Sequence, residues 1–258
     1  MLPKAIETKS ITFDCFKSFV FIRNYNAIVM CGVTGQFGVK ILEILNHTKV
    51  YIVVYSGDKS VFKTRVSFEE TYLQDAAHVE RLRQAGDLLF KQVPMLEIDG
   101  MKLVQTNAII RYIARKYDMY GKTLEQKTRI DVLYDGARDF IMKFVYIGFK
   151  KGIEDDSKDV KANAVPRYLT VFEKELSETS SGYFVGDHLS MADLAVLESL
   201  LYCDDYFPAV LEDYPKLKEF KDRLSSLPRI KAFLNGPQRK KKTTEEFILH
   251  CSKVWGWI

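Results

Sequence analysis

Residues 90–117 read "FKQVPMLEIDGMKLVQTNAIIRYIARKY" and contain the turn that decides the fold. Asp99-Gly100 lies between two runs of strand-forming residues, and both residue types tolerate the positive φ angles that a two-residue hairpin turn requires. The pattern predicts a strand over residues 92–98, a returning strand over residues 102–105 and a helix that begins at Thr106. We therefore expect a β-hairpin that leads directly into a helix.

Two features of this stretch indicate a ligand site. Pro94 cannot donate a ladder hydrogen bond, and it suits a strand start, where a cis bond would turn the Val93 backbone outward. An extended peptide would then pair with that backbone as one more strand. At Gln105-Thr106 the free N–H groups and the positive end of a helix would favour a carboxylate. The stretch is predicted to bind a small acidic peptide; the alternative is an ordinary hairpin and helix cap.

Upstream, the sequence alternates as a strand over residues 66–73 and has helical spacing over residues 76–89, with Gly86 as a weak point near the end. Residues 50–55 form another strand-like run. Residues 27–46 are typical of a strand, a glycine turn and a helix. The glycines there are spaced G-x-x-G-x-x-G instead of G-x-G-x-x-G, so a nucleotide-binding module is the weaker alternative for this segment.

Downstream of Gly121 the pattern is helical. A long helix is predicted over residues 124–149, and Ser190 with Asp193 predicts a capping box at the start of a later helix. Another helix, with Pro166 near its start, carries a predicted apolar face made of Tyr168, Val171, Phe172 and Leu176. We therefore predict an α/β unit over residues 50–120, an all-helical unit over residues 123–258 and an atypical extension over residues 1–49.

Composition and charge argue against several classes of protein. With 38 Lys and Arg against 34 Asp and Glu residues, the net charge of +4 is too balanced to indicate nucleic-acid binding. The basic run 239–242 is interpreted as a solvated linker. The 4 cysteines and 4 histidines lack disulfide or metal-ligand spacing, so we expect no metal site and a cytoplasmic location. No apolar run reaches the roughly 20 residues of a membrane span, and charged residues interrupt any signal-peptide core.

Several sequence blocks between Val66 and Pro237 resemble a known family. They read "QVPMLEIDGMKLVQT", "RYLTVFEKEL", "YFVGDHLSMADL" and "LKEFKDRLSSLPRIKAFL". Together they are similar to the alpha class of cytosolic glutathione transferases. The resemblance implies a thioredoxin-like N-terminal domain, an all-α C-terminal domain and a homodimer. It also implies glutathione as co-substrate, hydrophobic electrophiles as second substrates and no metal.

The resemblance also implies which residues bind glutathione. Gln92 and Gln105 would form hydrogen bonds to the tripeptide, and the Val93 backbone, before Pro94, would pair with the cysteinyl part. Thr106 would hold the γ-glutamyl carboxylate at the helix N-terminus.

Charged residues complete the implied site. Arg83 would reach the glycyl carboxylate. Asp139 and Arg167 would complete the glutamyl site, with the aspartate reaching across the dimer. As alternatives, Arg83 is a solvated helix charge and Arg167 pairs with Glu173 or another nearby acid.

The tail after Lys242 resembles the lid over the second-substrate pocket of this class. The residues expected to line that pocket are Phe247, Ile248, Val254 and Trp255. The alternative is helix packing without substrate contact.

The catalytic group implied by the resemblance is a tyrosine at the end of the first strand, whose hydroxyl donates to the glutathione sulfur. A hydrogen bond to the thiolate lowers the thiol pKa from a free value of roughly 8.5. An ungapped register puts His47 at that position. The nearest strand, tyrosine and glycine arrangement ends at Tyr55 and Gly57. Tyr55 is therefore the candidate thiolate donor.

Three interpretations of this departure stay open. Residues 50–55 form the sheet edge before a shortened helix, since the gap up to Val66 holds about one and a half helical turns. In the second interpretation, residues 27–46 replace the missing first strand and helix, with Cys31 or no residue as the thiolate donor. In the third, residues 1–65 are a different N-terminal segment joined to an otherwise ordinary transferase. The sequence predicts a glutathione transferase; the alternative is a catalytically impaired, glutathione-binding carrier of hydrophobic ligands.

Overall fold

The computed structural model of the protein describes residues 76–91, 94–148, 152–236, 242, 244–246 and 249. The predictions for the extension over residues 1–49, the strands over residues 50–55 and 66–73, and the thiolate donor lie outside the described residues. The division of the chain at residues 50 and 120 also stays a prediction.

The first described elements are a helix and a hairpin. Helix α1 spans Ala76–Gln84, strand β1 spans Met95–Ile98 and strand β2 spans Met101–Val104. The helix is shorter than predicted, because the chain has left the helix by Gly86, where φ is +76°. A positive φ is incompatible with continuing a right-handed helix.

The predicted hairpin is confirmed. β1 and β2 pair antiparallel with Ile98 opposite Met101, and Asp99 and Gly100 form the turn with φ angles of 50° and 75°. β1 is shorter than the strand predicted over residues 92–98, whereas β2 has the predicted length of four residues and begins and ends one residue earlier than predicted. Pro94 lies just before β1 instead of inside a strand, as its missing N–H requires.

Helix α2 spans Thr106–Lys116 and begins at the predicted residue. Ile109 and Ile113 are fully buried on one side of it. Its last turn is tied back to the hairpin, because the Lys116 ammonium lies 2.5 Å from the carboxylate of Asp99. The hairpin and α2 therefore form one local unit.

The remaining described elements are helical. They are α3 at Leu124–Val145, α4 at Ile153–Asp159, a π-helical turn at Val160–Ala164, α5 at Val165–Ser177, α6 at Met191–Tyr206, a 3₁₀ turn at Val210–Asp213, α7 at Pro215–Ser226 and α8 at Pro228–Leu234. α3 ends at Val145, before the predicted end at residue 149, which lies outside the described residues. The all-helical character predicted after Gly121 is confirmed for the described part of the chain.

Helix α5 buries a different face from the one predicted. Its core stripe is Leu169, Phe172 and Leu176, whereas Val171 is 53% exposed. The reason is helical geometry: at 100° per residue the three buried positions lie within about 60° of each other, and Val171 points away from them. The prediction included Val171 and missed Leu169.

The core of the helical unit lies around α6, which packs against α3. All residues from Met191 to Leu200 are buried. The predicted capping box is confirmed at the start of α6. The Ser190 hydroxyl accepts a hydrogen bond from the Asp193 N–H, and the Asp193 carboxylate accepts one from the Ser190 N–H. Within the described ranges, no helix combines the length and apolar character needed to cross a bilayer.

Candidate functional site

The N-terminus of α2 has the features of an anion site. Gln105 precedes the helix without a side-chain capping bond, and the first turn holds no acidic residue. Thr106 is only 2% exposed, yet its Oγ1 has no hydrogen-bond partner among the described residues. Buried hydroxyls are almost always hydrogen bonded. Free N–H groups, a positive helix end and an unpartnered hydroxyl at one place can together receive a carboxylate.

The backbone before this helix is strained. Gln105 has φ 72° and ψ 106°, a conformation that residues with a Cβ rarely adopt, and its side chain is exposed. Strained backbone conformations are concentrated at functional sites, where the surrounding structure holds the residue in place. The structure thus places the predicted Gln105 and Thr106 side by side at the point where β2 ends and α2 begins.

Arg83 lies at the end of α1 and contacts the segment that precedes the hairpin. Its Nε donates to the carbonyl oxygen of Lys91 at 2.9 Å, and its Nη1 lies 3.4 Å from the carboxylate of Glu80. The guanidinium is therefore held beside the chain that leads to Gln92 and Val93. Its predicted contact with a glycyl carboxylate stays a prediction.

Asp139 and Arg167 lie on α3 and α5, respectively, and both are exposed. The Arg167 guanidinium carbon lies 5.4 Å from the centre of the Tyr168 ring. The two carboxylate oxygens of Glu173 accept hydrogen bonds from the backbone N–H groups of Lys216 and Leu217, each at 2.9 Å. Glu173 therefore caps α7, and the alternative pair of Arg167 with Glu173 is not formed.

The other predicted site residues lie outside the described residues. They are Tyr55, Gln92, Val93, Phe247, Ile248, Val254 and Trp255. Pro94 is described and is buried at the entrance to β1. Among the residues that the structure describes, no group of three or more His, Cys, Asp or Glu side chains is close enough to hold a metal ion.

An ion-pair network that the sequence did not reveal fixes α2 against α3. Arg111 Nε donates to Asp131 Oδ1 at 2.7 Å, and Arg111 Nη2 lies 3.0 Å from both oxygens of Asp135. Burial acts to lower the pKa of Arg111, but the hydrogen bonds and charges of the two carboxylates raise it overall. The acidic pair at spacing i, i+4 was the available signal, although its partner on another helix cannot be read from sequence. The network positions the helix that carries Thr106.

Comparisons with known proteins agree with this geometry. The family model for "Glutathione S-transferase, N-terminal domain" matches residues 59–115, and the model for "Glutathione S-transferase, C-terminal domain" matches residues 137–237. The first match includes the hairpin and the start of α2, and the second includes most of the helical unit.

Curated relatives and solved structures lead to the same family. Mouse "Glutathione S-transferase A4" is 44% identical over 178 residues, covering 68% of this chain and 80% of the relative. Bovine "Glutathione S-transferase A2" is 39% identical over 193 residues, covering 74% and 86%.

Among solved structures, the glutathione S-transferase of Ascaris lumbricoides matches with a TM-score of 0.58 at 31% identity, covering 68% of this chain and 87% of that one. Na-GST-3 of the hookworm Necator americanus, described as monomeric, matches with a TM-score of 0.61 at 28% identity and the same coverage.

These matches confirm the expected fold class, a thioredoxin-like N-terminal domain followed by an all-α C-terminal domain. The curated relatives also distinguish the class, since they include the rat forms named alpha-4 and alpha-2. The chain therefore belongs to the glutathione S-transferase family, within its alpha class.

Proposed function

We propose that this protein is a transferase that joins the thiolate of glutathione to hydrophobic electrophiles. Family membership supports the reaction, because the relatives carry the name of that activity. The observation that carries the proposal for this chain is the start of α2, where the helix has no side-chain cap and the buried Thr106 hydroxyl has no hydrogen-bond partner within the described part of the chain. A tripeptide with carboxylates at both ends has the chemistry that such a place receives.

We assign the binding roles along the tripeptide as follows. Thr106 and the N–H groups of α2 receive the γ-glutamyl carboxylate, and Gln105 and Gln92 donate further hydrogen bonds. The Val93 backbone, fixed by Pro94, pairs with the cysteinyl part. Arg83 reaches the glycyl carboxylate; its side chain already lies beside the Lys91 carbonyl.

Asp139 and Arg167 complete the glutamyl end of the site in this proposal. Their carboxylate and guanidinium match the charges of an α-amino group and an α-carboxylate, respectively. Asp139 is the residue proposed to reach across the subunit interface, and its side chain is exposed in the single chain, as is that of Arg167.

Tyr55 is the proposed donor to the sulfur. A phenol that hydrogen bonds to the thiolate lowers the thiol pKa, and each unit corresponds to about 1.4 kcal/mol. Phe247, Ile248, Val254 and Trp255 are proposed to line the pocket for the electrophile. We also propose a cytoplasmic location, consistent with the scattered cysteines.

Replacing Tyr55 with Phe tests the catalytic assignment. We expect the Tyr55→Phe protein to bind glutathione with unchanged affinity but to lose most of its rate, by about 10²-fold, with an aromatic electrophile at neutral pH. Spectrophotometric titration of the enzyme-bound thiol should show a higher pKa in the variant. Tyr51→Phe is a matched control in the same predicted strand and should keep the wild-type rate.

Three results would contradict different parts of the proposal. Unchanged turnover in Tyr55→Phe would remove Tyr55 from the mechanism. Wild-type protein that binds glutathione but conjugates no electrophile would indicate the impaired carrier of hydrophobic ligands instead. Failure to bind a glutathione-affinity column would exclude both functions.

We also propose a homodimer. The loop between α1 and β1 exposes two large apolar side chains in succession, Leu89 at 77% and Phe90 at 57%. Val132 on α3 is 57% exposed as well. Adjacent exposed apolar groups are typical of an interface. The monomeric hookworm relative shows that the state must be measured for each chain.

Replacing Phe90 tests the dimer. If the loop is an interface, Phe90→Ser should shift the protein from dimer to monomer in light scattering after size exclusion, by removing a buried aromatic group from each side. Val171→Ser, at an exposed position on α5, is the control and should leave the mass unchanged. A wild-type monomer at micromolar concentration would refute the dimer.

A further inference from the structure

A stacked pair of rings connects the two helices that carry Asp139 and Arg167. The Phe140 ring on α3 and the Tyr168 ring on α5 have centres 4.7 Å apart and planes 14° from parallel. Phe140 is fully buried and also packs edge-on against Phe144, with centres 5.1 Å apart and planes at 62°. Phe140 is therefore a fixed platform, and Tyr168 lies on it.

Each ring adjoins a proposed glutathione ligand in sequence. Asp139 directly precedes Phe140, and Arg167 directly precedes Tyr168. The Arg167 guanidinium carbon lies 5.4 Å from the centre of the Tyr168 ring, within the range of a cation–π contact. Burial raises the pKa of the Tyr168 hydroxyl, the charge of Asp139 raises it further, and the charge of Arg167 lowers it.

The backbone before Arg167 adds a second constraint. The π-helical turn Val160–Ala164 precedes Pro166, and the Val165 N–H donates to the Val160 carbonyl across this turn. Pro166 has no N–H and its ring disfavours a regular helix before it, so the wider turn accommodates the proline. The π-helical turn and Pro166 therefore fix the backbone at the start of α5, and with it the position of the Arg167 Cα atom.

Resting on the proposed function, we propose that Tyr168 is a positioning residue whose ring, held on Phe140, orients the Arg167 guanidinium toward the glutamyl end of glutathione. An exposed arginine otherwise samples many rotamers, and binding must restrict them. A ring that holds the guanidinium in advance reduces this entropic cost. The effect belongs to binding of glutathione and not to the chemical step.

Kinetics of ring variants test this assignment. Tyr168→Leu should raise the KM for glutathione about two- to fivefold, the worth of one exposed cation–π contact, and leave kcat near the wild-type value. Tyr168→Phe keeps the ring and should restore a nearly normal KM. If Tyr168→Phe is as impaired as Tyr168→Leu, the hydroxyl and not the ring is responsible, and the proposal fails.

A double-mutant cycle separates positioning from general packing. In an Arg167→Ala background, Tyr168→Leu should cause no further rise in KM, because the ring then has no guanidinium to orient. Independent, multiplicative effects of the two changes would overturn the proposal. Phe172→Leu is the packing control, since the buried Phe172 contacts the same ring with centres 6.4 Å apart and lies five residues after Arg167 on the same helix. It should lower the melting temperature without changing KM, and an equal rise in KM would reduce Tyr168 to a structural role.

Failure of this inference differs from failure of the proposed function. Glutathione binding by the wild type, measured by calorimetry, combined with unchanged affinity in Tyr168→Leu would overturn the positioning role alone. Absence of binding in the wild type would overturn both.

Discussion

Helices α6 and α2 begin in opposite ways, although the first turn of every helix leaves backbone N–H groups that need partners. At α6 the Ser190 N–H donates to Asp193 Oδ2 at 2.8 Å, and the Phe184 N–H donates to Asp193 Oδ1 at 2.9 Å. At α2 there is no side-chain cap, and the buried Thr106 Oγ1 has no partner among the described residues. We call the start of α6 closed, because side chains of the same chain accept its N–H hydrogen bonds, and the start of α2 open.

The buried Thr106 hydroxyl is what distinguishes the start of α2, since α4, α5 and α8 also begin without a side-chain cap. Helix α3 begins like α6, with a capping box between Thr123 and Gln126, and both of these helices form the packed core. The open start is found next to the strained Gln105, at the end of the hairpin strand β2. A buried polar group left without a partner costs about 1–3 kcal/mol, and the proposed glutathione carboxylate would remove that cost at Thr106. Changes at the start of α6 should therefore affect folding stability, and changes at the start of α2 should affect glutathione binding.

The largest effect is expected at the closed start. Asp193→Ala would leave the buried N–H groups of Phe184 and Ser190 without an acceptor and would remove the box. We expect a loss of more than about 3 kcal/mol in the free energy of unfolding, measured by urea denaturation. Asp187→Ala, an exposed aspartate in the preceding turn, should cost less than about 0.5 kcal/mol. A small effect of Asp193→Ala would show that α6 does not depend on its cap.

At the open start the effect should appear in binding instead. Thr106→Val keeps the shape of the side chain and removes a hydroxyl that stabilises nothing in the described structure. Folding stability should therefore change by less than about 1 kcal/mol, while glutathione affinity falls at least about tenfold, the worth of a hydrogen bond to a charged group. The thermal shift caused by glutathione should shrink accordingly.

The control for this prediction is Thr128→Val on α3. Thr128 is exposed, and its hydroxyl donates to the Leu124 carbonyl within the helix at 2.9 Å. It should leave glutathione affinity unchanged. A Thr106→Val protein that is strongly destabilised but binds glutathione normally would reverse the assignment of α2 as the open site.

The features that could be predicted from the sequence are those determined by interactions between residues close together in the chain. The Asp99-Gly100 turn, the start at Thr106 and the box at Ser190 depend on residues within a few positions of each other, and all three are confirmed. The face of α5 was misjudged at Val171 because burial depends on which neighbour a helix meets.

Nonlocal contacts could not be predicted in the same way. The pairing of Arg111 with Asp131 and Asp135 joins α2 to α3, and the stack of Phe140 on Tyr168 joins α3 to α5. The resemblance implied that Arg167 is a ligand, but only the fold shows that the neighbouring Tyr168 ring is stacked on Phe140. The strain at Gln105 was equally hidden, because Gln has no general preference for positive φ.

The smallest expected effect measures that strain directly. Gln105 has φ 72° and ψ 106°, a conformation that costs a residue with a Cβ about 1–3 kcal/mol, whereas Gly adopts positive φ readily. After the entropic cost of an added glycine, about 0.5–1 kcal/mol, Gln105→Gly should stabilise the fold by about 1 kcal/mol in urea denaturation.

Gln105→Ala is the matched control because it also removes the amide but keeps the Cβ and therefore the strain. Both variants should bind glutathione more weakly by calorimetry, and only the Gly variant should gain stability. Equal stability of the two would mean that the backbone at the end of β2 is not strained, and the open helix start would then rest on Thr106 alone. If Gln105→Gly gains stability but binds glutathione more weakly, the backbone between β2 and α2 keeps an unfavourable conformation that serves ligand binding.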